Sequence, residues 1–150
     1  MDCKTHLGID LHIHSTASDG TFSPAEILSL ASKIGLGAIA ITDHDTIDGT
    51  RTALSSDPRR GMHLISGVEI STEFPETFAC SESCHILGYG FDPEDPALTQ
   101  ALKTLQAARK NRNPQIIERL QTLGFDITLQ EVQAAKTGAG QLGRPHIARV

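Results

Sequence analysis

The residues Gly8-Ile9-Asp10-Leu11-His12-Ile13-His14 alternate between apolar and polar side chains near the start of the chain. A period of two is typical of a β-strand and places the Asp10, His12 and His14 side chains on one face. The two imidazoles then point the same way and are spaced to chelate one metal ion. A pair of this kind also arises by chance or as a half-buried polar strand face, so alone it leaves both interpretations open.

Further acidic and imidazole side chains occur in or beside other predicted strands. The apolar run 38–42, typical of a strand buried on both faces, leads directly into Asp43-His44, which could also be a helix N-cap beside an exposed histidine. Glu69 lies in a neutral strand pattern at 64–72, where a buried carboxylate is costly unless it is paired or binds a metal. His85 begins an apolar strand pattern and could equally be a hydrogen-bonded core histidine.

Helix signals separate these strands. Ser23, Pro24 and Glu26 form a capping box with proline at the first helical position, and Gly35 is a plausible end. A short helix is expected within 46–55. The order strand, helix, strand, helix, strand predicts a parallel α/β fold. Beyond Asp92 we expect two helices, the second closed by Gly124, and a further capping box at Thr128 and Glu131.

The carboxyl ends of parallel strands meet at one edge of a sheet, so these polar side chains are expected to converge. Imidazole and carboxylate ligands suit Mn²⁺, Fe²⁺ or Zn²⁺, and clustered carboxylates favour more than one ion. Such a site lowers the pKa of a bound water and holds phosphoryl oxygens for in-line attack. The sequence therefore predicts a hydrolytic metal site that cleaves phosphate esters through a metal-activated hydroxide.

Composition and charge exclude several classes of protein and of binding partner. The net charge of −5 over 150 residues argues against a broad basic surface for duplex DNA. No apolar run approaches the roughly 20 residues of a membrane helix, and the N-terminus lacks a signal-peptide pattern, so we expect a cytoplasmic protein without a membrane partner. Three cysteines make a disulfide framework improbable. Cys80, Cys84 and His85 as a structural zinc site is an alternative that lacks a clear fourth ligand.

Five motifs in register resemble the PHP family, the polymerase and histidinol phosphatase superfamily of metal-dependent phosphoesterases. They are Asp10-Leu11-His12-Ile13-His14-Ser15, Ile41-Thr42-Asp43-His44-Asp45-Thr46, Gly67-Val68-Glu69-Ile70-Ser71, His85-Ile86-Leu87-Gly88 and Gly143-Arg144-Pro145-His146. The resemblance covers essentially the whole chain. It implies an α/β fold that is part of a distorted (β/α)₇ TIM-like barrel with a helical insertion, and a site for up to three divalent ions.

The resemblance also implies roles for single residues. His12, His14 and Glu69 would hold the first ion, and Glu69 would bridge to a second that is shared with His85 and His146. Asp19 and His44 would hold the third. Asp10 and Asp43 would orient histidines from behind the ligands, and Arg144 is the candidate for binding substrate phosphate. Mn²⁺ is the first expectation for the metal, with Zn²⁺, Fe²⁺ or Mg²⁺ as alternatives.

Ser18-Asp19-Gly20 is most similar to the subgroup that acts on nucleotides, because Asp19 stands where relatives that cleave histidinol phosphate usually carry histidine. The expected substrates are nucleoside 3′,5′-bisphosphates or the 5′ ends of short RNA. A histidinol-phosphate phosphatase and a non-catalytic PHP accessory or metal-binding module are the alternatives.

Three segments are expected along the chain. Residues 1–94 would form the N-terminal part of the PHP catalytic domain, 95–137 a helical insertion, and 138–150 the return to the PHP domain. The family's last metal ligands, in a late Asp-x-His, would lie beyond residue 150. We therefore expect a truncated chain that hydrolyses little by itself.

Overall fold

The computed structural model describes residues 8–56, 61–73, 83–136, 138 and 140–150. Four strands and five helices occur in these ranges. In chain order they are β1 (Ile9–Ile13), α1 (Pro24–Ile34), β2 (Ala38–Ile41), α2 (Asp48–Leu54), β3 (His63–Glu73), β4 (Ser83–Tyr89), α3 (Pro96–Thr122), α4 (Leu129–Ala134) and α5 (Arg144–Ile147).

The strands form one sheet in the order β1-β2-β3-β4. The first three are parallel, with Ile9 opposite Ala38 and Ala38 opposite His63. Strand β4 is antiparallel to β3, and Glu69 lies opposite Leu87. The predicted α/β class is confirmed. The parallel strands place the end of β1 and the end of β2 at the same edge of the sheet, where the polar motifs lie.

Helix α1 begins and ends where the sequence predicted. Ser23 Oγ accepts a hydrogen bond from the Glu26 amide at 3.3 Å, and the Glu26 carboxylate accepts one from the Ser23 amide at 2.8 Å. Gly35 closes the helix with a φ of 83°, a conformation that glycine adopts without steric cost. The apolar face of α1 packs on β2 and α2 in a cluster formed by Ile27, Leu28, Ala31, Ile39, Ile41 and Ala53.

The expectation of two helices after Asp92 is wrong, because α3 runs unbroken from Pro96 to Thr122 with Pro114 inside it. Proline removes one helical hydrogen bond, but burial on either side holds the helix together. Leu102 is buried against Ile47 and Val68, and Ile117 belongs to a separate cluster with Ile127, Val132 and Ile147. The capping box at Thr128 and Glu131 is confirmed at the start of α4.

Some sequence predictions fall outside the described residues. The polar loop within 74–82, Cys3 and Cys80 are among them, so the structural zinc alternative stays a prediction; Cys84 is half-buried and its thiol is free. The division of the chain at 94 and 137 also stays a prediction. Among the described residues, no helix is both long and apolar enough to cross a bilayer.

Candidate metal centre

Strand β1 brings two imidazoles to one carboxylate oxygen. His12 Nε2 lies 3.0 Å from Glu69 Oε2, and His14 Nε2 lies 2.7 Å from the same atom. The two ring centroids are 5.2 Å apart, as expected of side chains that leave one face of a strand. The pair is therefore part of a polar cluster rather than an isolated feature of a strand face.

Glu69 is the buried centre of this cluster, with 4% of its surface exposed. Its other oxygen, Oε1, lies 2.7 Å from His85 Nδ1 on β4. Burial opposes ionisation, but the hydrogen bond with His12 and the electrostatic interactions with the His44 and His14 rings hold the pKa of the Glu69 carboxyl below its ordinary value. Glu69 is thus ionised at neutral pH with imidazoles on both oxygens, an arrangement in which one carboxylate can bridge two cations.

The loop after β1 supplies a second carboxylate. His14 Nδ1 lies 2.7 Å from Asp19 Oδ1, and His44 Nε2 lies 3.7 Å from Asp19 Oδ2. Burial opposes ionisation of Asp19, but the hydrogen bond with His14 and the electrostatic interactions with the His44 and His14 rings outweigh it and lower the pKa of this carboxyl to about 2. The loop is tight: a Cβ at Gly20 would lie 2.1 Å from the His14 carbonyl oxygen.

His44 follows β2 and is held in its neutral form. Burial lowers its pKa to about 4, against the opposing effect of the Asp19 and Glu69 carboxylates. Its Nδ1 is buried and makes no hydrogen bond within the described part of the chain; Glu69 Oε2 is 3.6 Å away. A neutral imidazole with an unpartnered nitrogen that faces a carboxylate has the protonation state that metal binding requires.

Together these side chains form three overlapping sets. Within each set, three possible ligand atoms lie within 4.8 Å of one another. The sets are His12, His14 and Glu69; His14, Asp19 and His44; and His44, Glu69 and His85. Since neighbouring sets share members, six of the seven predicted ligands form one continuous site with the donor chemistry for more than one divalent ion.

His146 is the seventh predicted ligand, and it lies outside these three sets. Its side chain is fully buried in α5, and Nδ1 accepts a hydrogen bond from the Gly143 amide at 3.0 Å. Burial lowers its pKa more than the nearby negative charge of Asp19 raises it. Its Nε2 is buried and makes no hydrogen bond to any described residue. Its share in the ion held by His85 stays a prediction.

The two aspartates that were predicted to support the ligands, Asp10 and Asp43, accept hydrogen bonds from nearby backbone amides and serine hydroxyls. Asp43 is fully buried and accepts hydrogen bonds from the Ser15 amide at 2.7 Å and from the Ser15 and Ser18 hydroxyls at 2.6 Å each. It therefore fixes the loop that carries Asp19. Asp10 is exposed, and its carboxylate accepts from the His12 amide at 3.2 Å.

The structure also contains a buried ion pair next to His44 that the sequence did not predict. Asp45, which follows His44 and has a φ of 53°, accepts hydrogen bonds from Arg109 Nε and Nη2 at 3.0 and 2.7 Å. Arg109 also donates to the Ser71 hydroxyl at 2.6 Å. No spacing rule links a helix residue at 109 to a turn at 45. The sequence offered one signal, a second acidic residue, Asp45, directly after the candidate ligand His44.

Arg112 interacts electrostatically with two further guanidinium groups, those of Arg109 and Arg144. Arg144, the predicted phosphate ligand, is exposed at the first position of α5. Burial and the positive charges of Arg109 and Arg144 lower the pKa of Arg112, whose Nε is buried without a hydrogen bond among the described residues. Like charges are costly to hold together, and Asp45 offsets the charge of Arg109, so an anion beside Arg112 and Arg144 would be favoured.

Imidazole and carboxylate side chains that could hold metal ions thus gather at one α/β sheet, and this arrangement is typical of proteins with a multinuclear metal site. The chain belongs to the PHP domain family, whose model matches residues 10–138. This confirms the predicted membership.

Two curated relatives match nearly the whole chain. The 5′-3′ exoribonuclease of Haemophilus influenzae is 37% identical over 93% of this chain and 48% of its own length. The 3′,5′-nucleoside bisphosphate phosphatase of Chromobacterium violaceum is 33% identical over 94% of this chain and 48% of its own length. The chain thus spans about half the length of these relatives.

Two solved structures share the fold. An amidohydrolase from Chromobacterium violaceum with bound sulfate superimposes with a TM-score of 0.82 at 32% identity, covering 95% of this chain and 48% of the other. A protein assigned as a metal-dependent phosphoesterase, from Bifidobacterium adolescentis, has a TM-score of 0.79 at 36% identity, covering 96% and 49%. These matches confirm the prediction of a partial TIM-like barrel.

Proposed function

We propose that the chain carries most of the metal ligands of a phosphoesterase that hydrolyses phosphate esters of nucleotides. Nucleoside 3′,5′-bisphosphates and the 5′ ends of short RNA are the proposed substrates, in keeping with the names of the relatives. The observation that carries the proposal is the contact of one buried carboxylate, Glu69, with His12, His14 and His85. Bringing one carboxylate and three imidazoles together in a buried site adds little to the stability of the fold by itself, because the desolvation of these groups offsets their attraction. A bound cation would account for the arrangement.

The residues present fit divalent ions. Two buried imidazole nitrogens, His44 Nδ1 and His146 Nε2, make no hydrogen bond to any described residue, and the donors are the nitrogen and oxygen ligands that Mn²⁺, Zn²⁺ and Fe²⁺ accept. His12, His14 and Glu69 would hold one ion and Glu69 with His85 another. Asp19 and His44 would hold a third. Mn²⁺ is the first choice, with Zn²⁺, Fe²⁺ or Mg²⁺ as alternatives.

Bound ions would supply the Lewis acidity that activates water and polarises the phosphoryl group. The chain's own residues prepare the site for this. Glu69 and Asp19 are held as carboxylates, because their pKa values are lowered. His44 is held neutral, because burial lowers its pKa. Arg144 would bind phosphate oxygens, with Arg112 nearby to add positive charge.

Release of inorganic phosphate from the phosphomonoesters, or of a nucleoside 5′-monophosphate from RNA, by the intact protein tests this function. The substrates are adenosine 3′,5′-bisphosphate, a short 5′-phosphorylated RNA and histidinol phosphate, with Mn²⁺ present or chelated by EDTA. We expect turnover of a nucleotide substrate that needs the metal, and a loss of at least about 100-fold in His14→Asn.

The matched control is His63→Asn, a change of the same kind at an exposed position of β3. It should retain wild-type turnover. Binding of Mn²⁺ without turnover of any substrate would contradict the proposal and favour the accessory-module alternative. Preference for histidinol phosphate would contradict the proposed substrate class.

A further inference from the structure

A cavity of about 540 Å³ lies between α3, α4 and the segment that leads into α5. Its size is within the range of small-molecule sites. Apolar and amide side chains make up much of its wall, among them Ala107, Leu129, Leu142, Gln106, Gln133 and Gln141. None of these residues belongs to the three sets of candidate ligands.

Asn113, in the wall of the cavity, has an unused hydrogen-bond acceptor. The residue is 5% exposed and lines the cavity. Its Nδ2 donates to the Leu142 carbonyl at 2.8 Å, which fixes the amide plane. Its Oδ1 is buried and has no hydrogen-bond partner among the described residues. A buried acceptor without a donor costs free energy, so this oxygen is suited to an N–H group of a ligand.

Two connections join the cavity to the metal centre. Arg109 lines it and donates to Asp45, the residue after His44. The segment with Gln141 and Leu142 continues into Gly143, where a Cβ would lie only 3.0 Å from Asp19 Oδ2. The wall of the cavity therefore adjoins the turn that carries Asp45 and the loop that carries Asp19.

The wall also has a charge preference. Lys103, Lys110 and Arg109, the last paired with Asp45, line the cavity, and no acidic side chain among the described residues does so. Cations on the wall favour an anionic molecule, while apolar side chains together with amides favour an aromatic ring with hydrogen-bonding edges.

We propose that this cavity binds the nucleobase of the nucleotide, with a base N–H group donating to Asn113 Oδ1 and the phosphate directed toward the metal centre. This inference rests on the proposed function, because it names the part of the substrate that the helical segment recognises. It concerns a site that the candidate ligands do not form.

Calorimetric titration of the intact, metal-free protein with adenosine 5′-monophosphate and with ribose 5-phosphate tests the proposal without turnover. We expect adenosine 5′-monophosphate to bind at least about tenfold more tightly than the base-free sugar phosphate. Purine riboside 5′-monophosphate, which lacks the 6-amino group, should bind several-fold more weakly than adenosine 5′-monophosphate. That comparison needs no variant.

A matched pair of variants locates the effect. Ala107 lines the cavity and Ala108, the next residue of α3, does not; both are exposed, and they point about 100° apart on the helix. Ala107→Trp should fill the cavity, so the ratio of the affinities for adenosine 5′-monophosphate and ribose 5-phosphate should fall close to one. Ala108→Trp should keep the wild-type preference.

Equal affinity for the two probes in the wild-type protein, or no binding of either, would overturn the proposal. So would a preference that survives in folded Ala107→Trp, which would mean that a polypeptide segment or solvent occupies the cavity. Failure of metal-dependent hydrolysis of any substrate would instead count against the proposed function, and the two failures are thus separable.

Discussion

Arg109 reaches from the middle of α3 to place two guanidinium nitrogens on one carboxylate oxygen of Asp45, at 3.0 and 2.7 Å. The arginine is 8% exposed and the aspartate 1%. The Asp45 amide also donates to the Glu69 carbonyl at 2.8 Å. This ion pair therefore attaches the long helix to the segment after β2 that carries His44 and to β3, which carries Glu69.

Removing one partner of this pair should be strongly destabilising. Arg109→Ala leaves the Asp45 carboxylate buried without its cation, which costs about 3–5 kcal/mol of unfolding free energy. Urea denaturation followed by circular dichroism measures the change. Arg119→Ala, at an exposed position of the same helix, should change stability by less than about 0.5 kcal/mol. Equal stability of the two variants would show that the ion pair does not fasten the helix.

The contact between α2 and Asp43 should tolerate no side chain at Gly49. A Cβ there would lie 2.0 Å from Asp43 Oδ2 and 2.6 Å from Ser15 Oγ. Gly49→Ala should therefore cost about 1–3 kcal/mol through displacement of the loop and should weaken Mn²⁺ binding at Asp19. Gly88→Ala is the control, because its Cβ would meet Val68 at an ordinary 3.4 Å. Wild-type stability in Gly49→Ala would refute the close approach.

Lowering the pH should reduce the free energy of unfolding of the metal-free protein, in part because His44 is buried. Burial lowers its pKa from 6.5 to about 4 in the folded state, so between these values the unfolded chain binds the extra proton and stability falls as the pH falls. His146 acts in the same direction because burial lowers its pKa. The raised pKa of His14, where the Asp19 and Glu69 carboxylates outweigh burial, partly opposes the trend.

Urea denaturation across this pH range in EDTA measures the slope. His44→Gln should flatten it, whereas His63→Gln, at an exposed position of β3, should leave it unchanged. An identical slope in wild type and His44→Gln would contradict the assignment of the titration to His44.

Local sequence rules recovered the parts of the fold that local chemistry determines. The alternation from Ile9 to Ile13 and the capping box of Ser23 and Glu26 specify β1 and the start of α1, and both are confirmed. The unbroken course of α3 through Pro114 depends on burial on either side of it, which no local pattern reveals. The Arg109–Asp45 pair is likewise tertiary, because its partners are 64 residues apart.

For the candidate site, too, the local motifs could be predicted from the sequence and their tertiary arrangement could not. The ligand motifs were visible because each places a polar side chain at or beside a predicted strand. Their grouping around Glu69 needed the parallel register of β2 and β3, which pairs His44 with Glu69 in an isolated bridge. The antiparallel direction of β4, which brings His85 to the other Glu69 oxygen, was not predicted.

Calorimetric titration of the intact protein with Mn²⁺ near neutral pH tests the central claim, that Glu69 organises a multinuclear metal site. We expect more than one Mn²⁺ per chain in the wild type. Glu69→Gln keeps the shape of the side chain but removes its charge, so it should weaken binding by about 100-fold or more. Glu118→Gln, at an exposed position of α3, should bind Mn²⁺ as the wild type does. Unchanged Mn²⁺ affinity and stoichiometry in Glu69→Gln would contradict the claim.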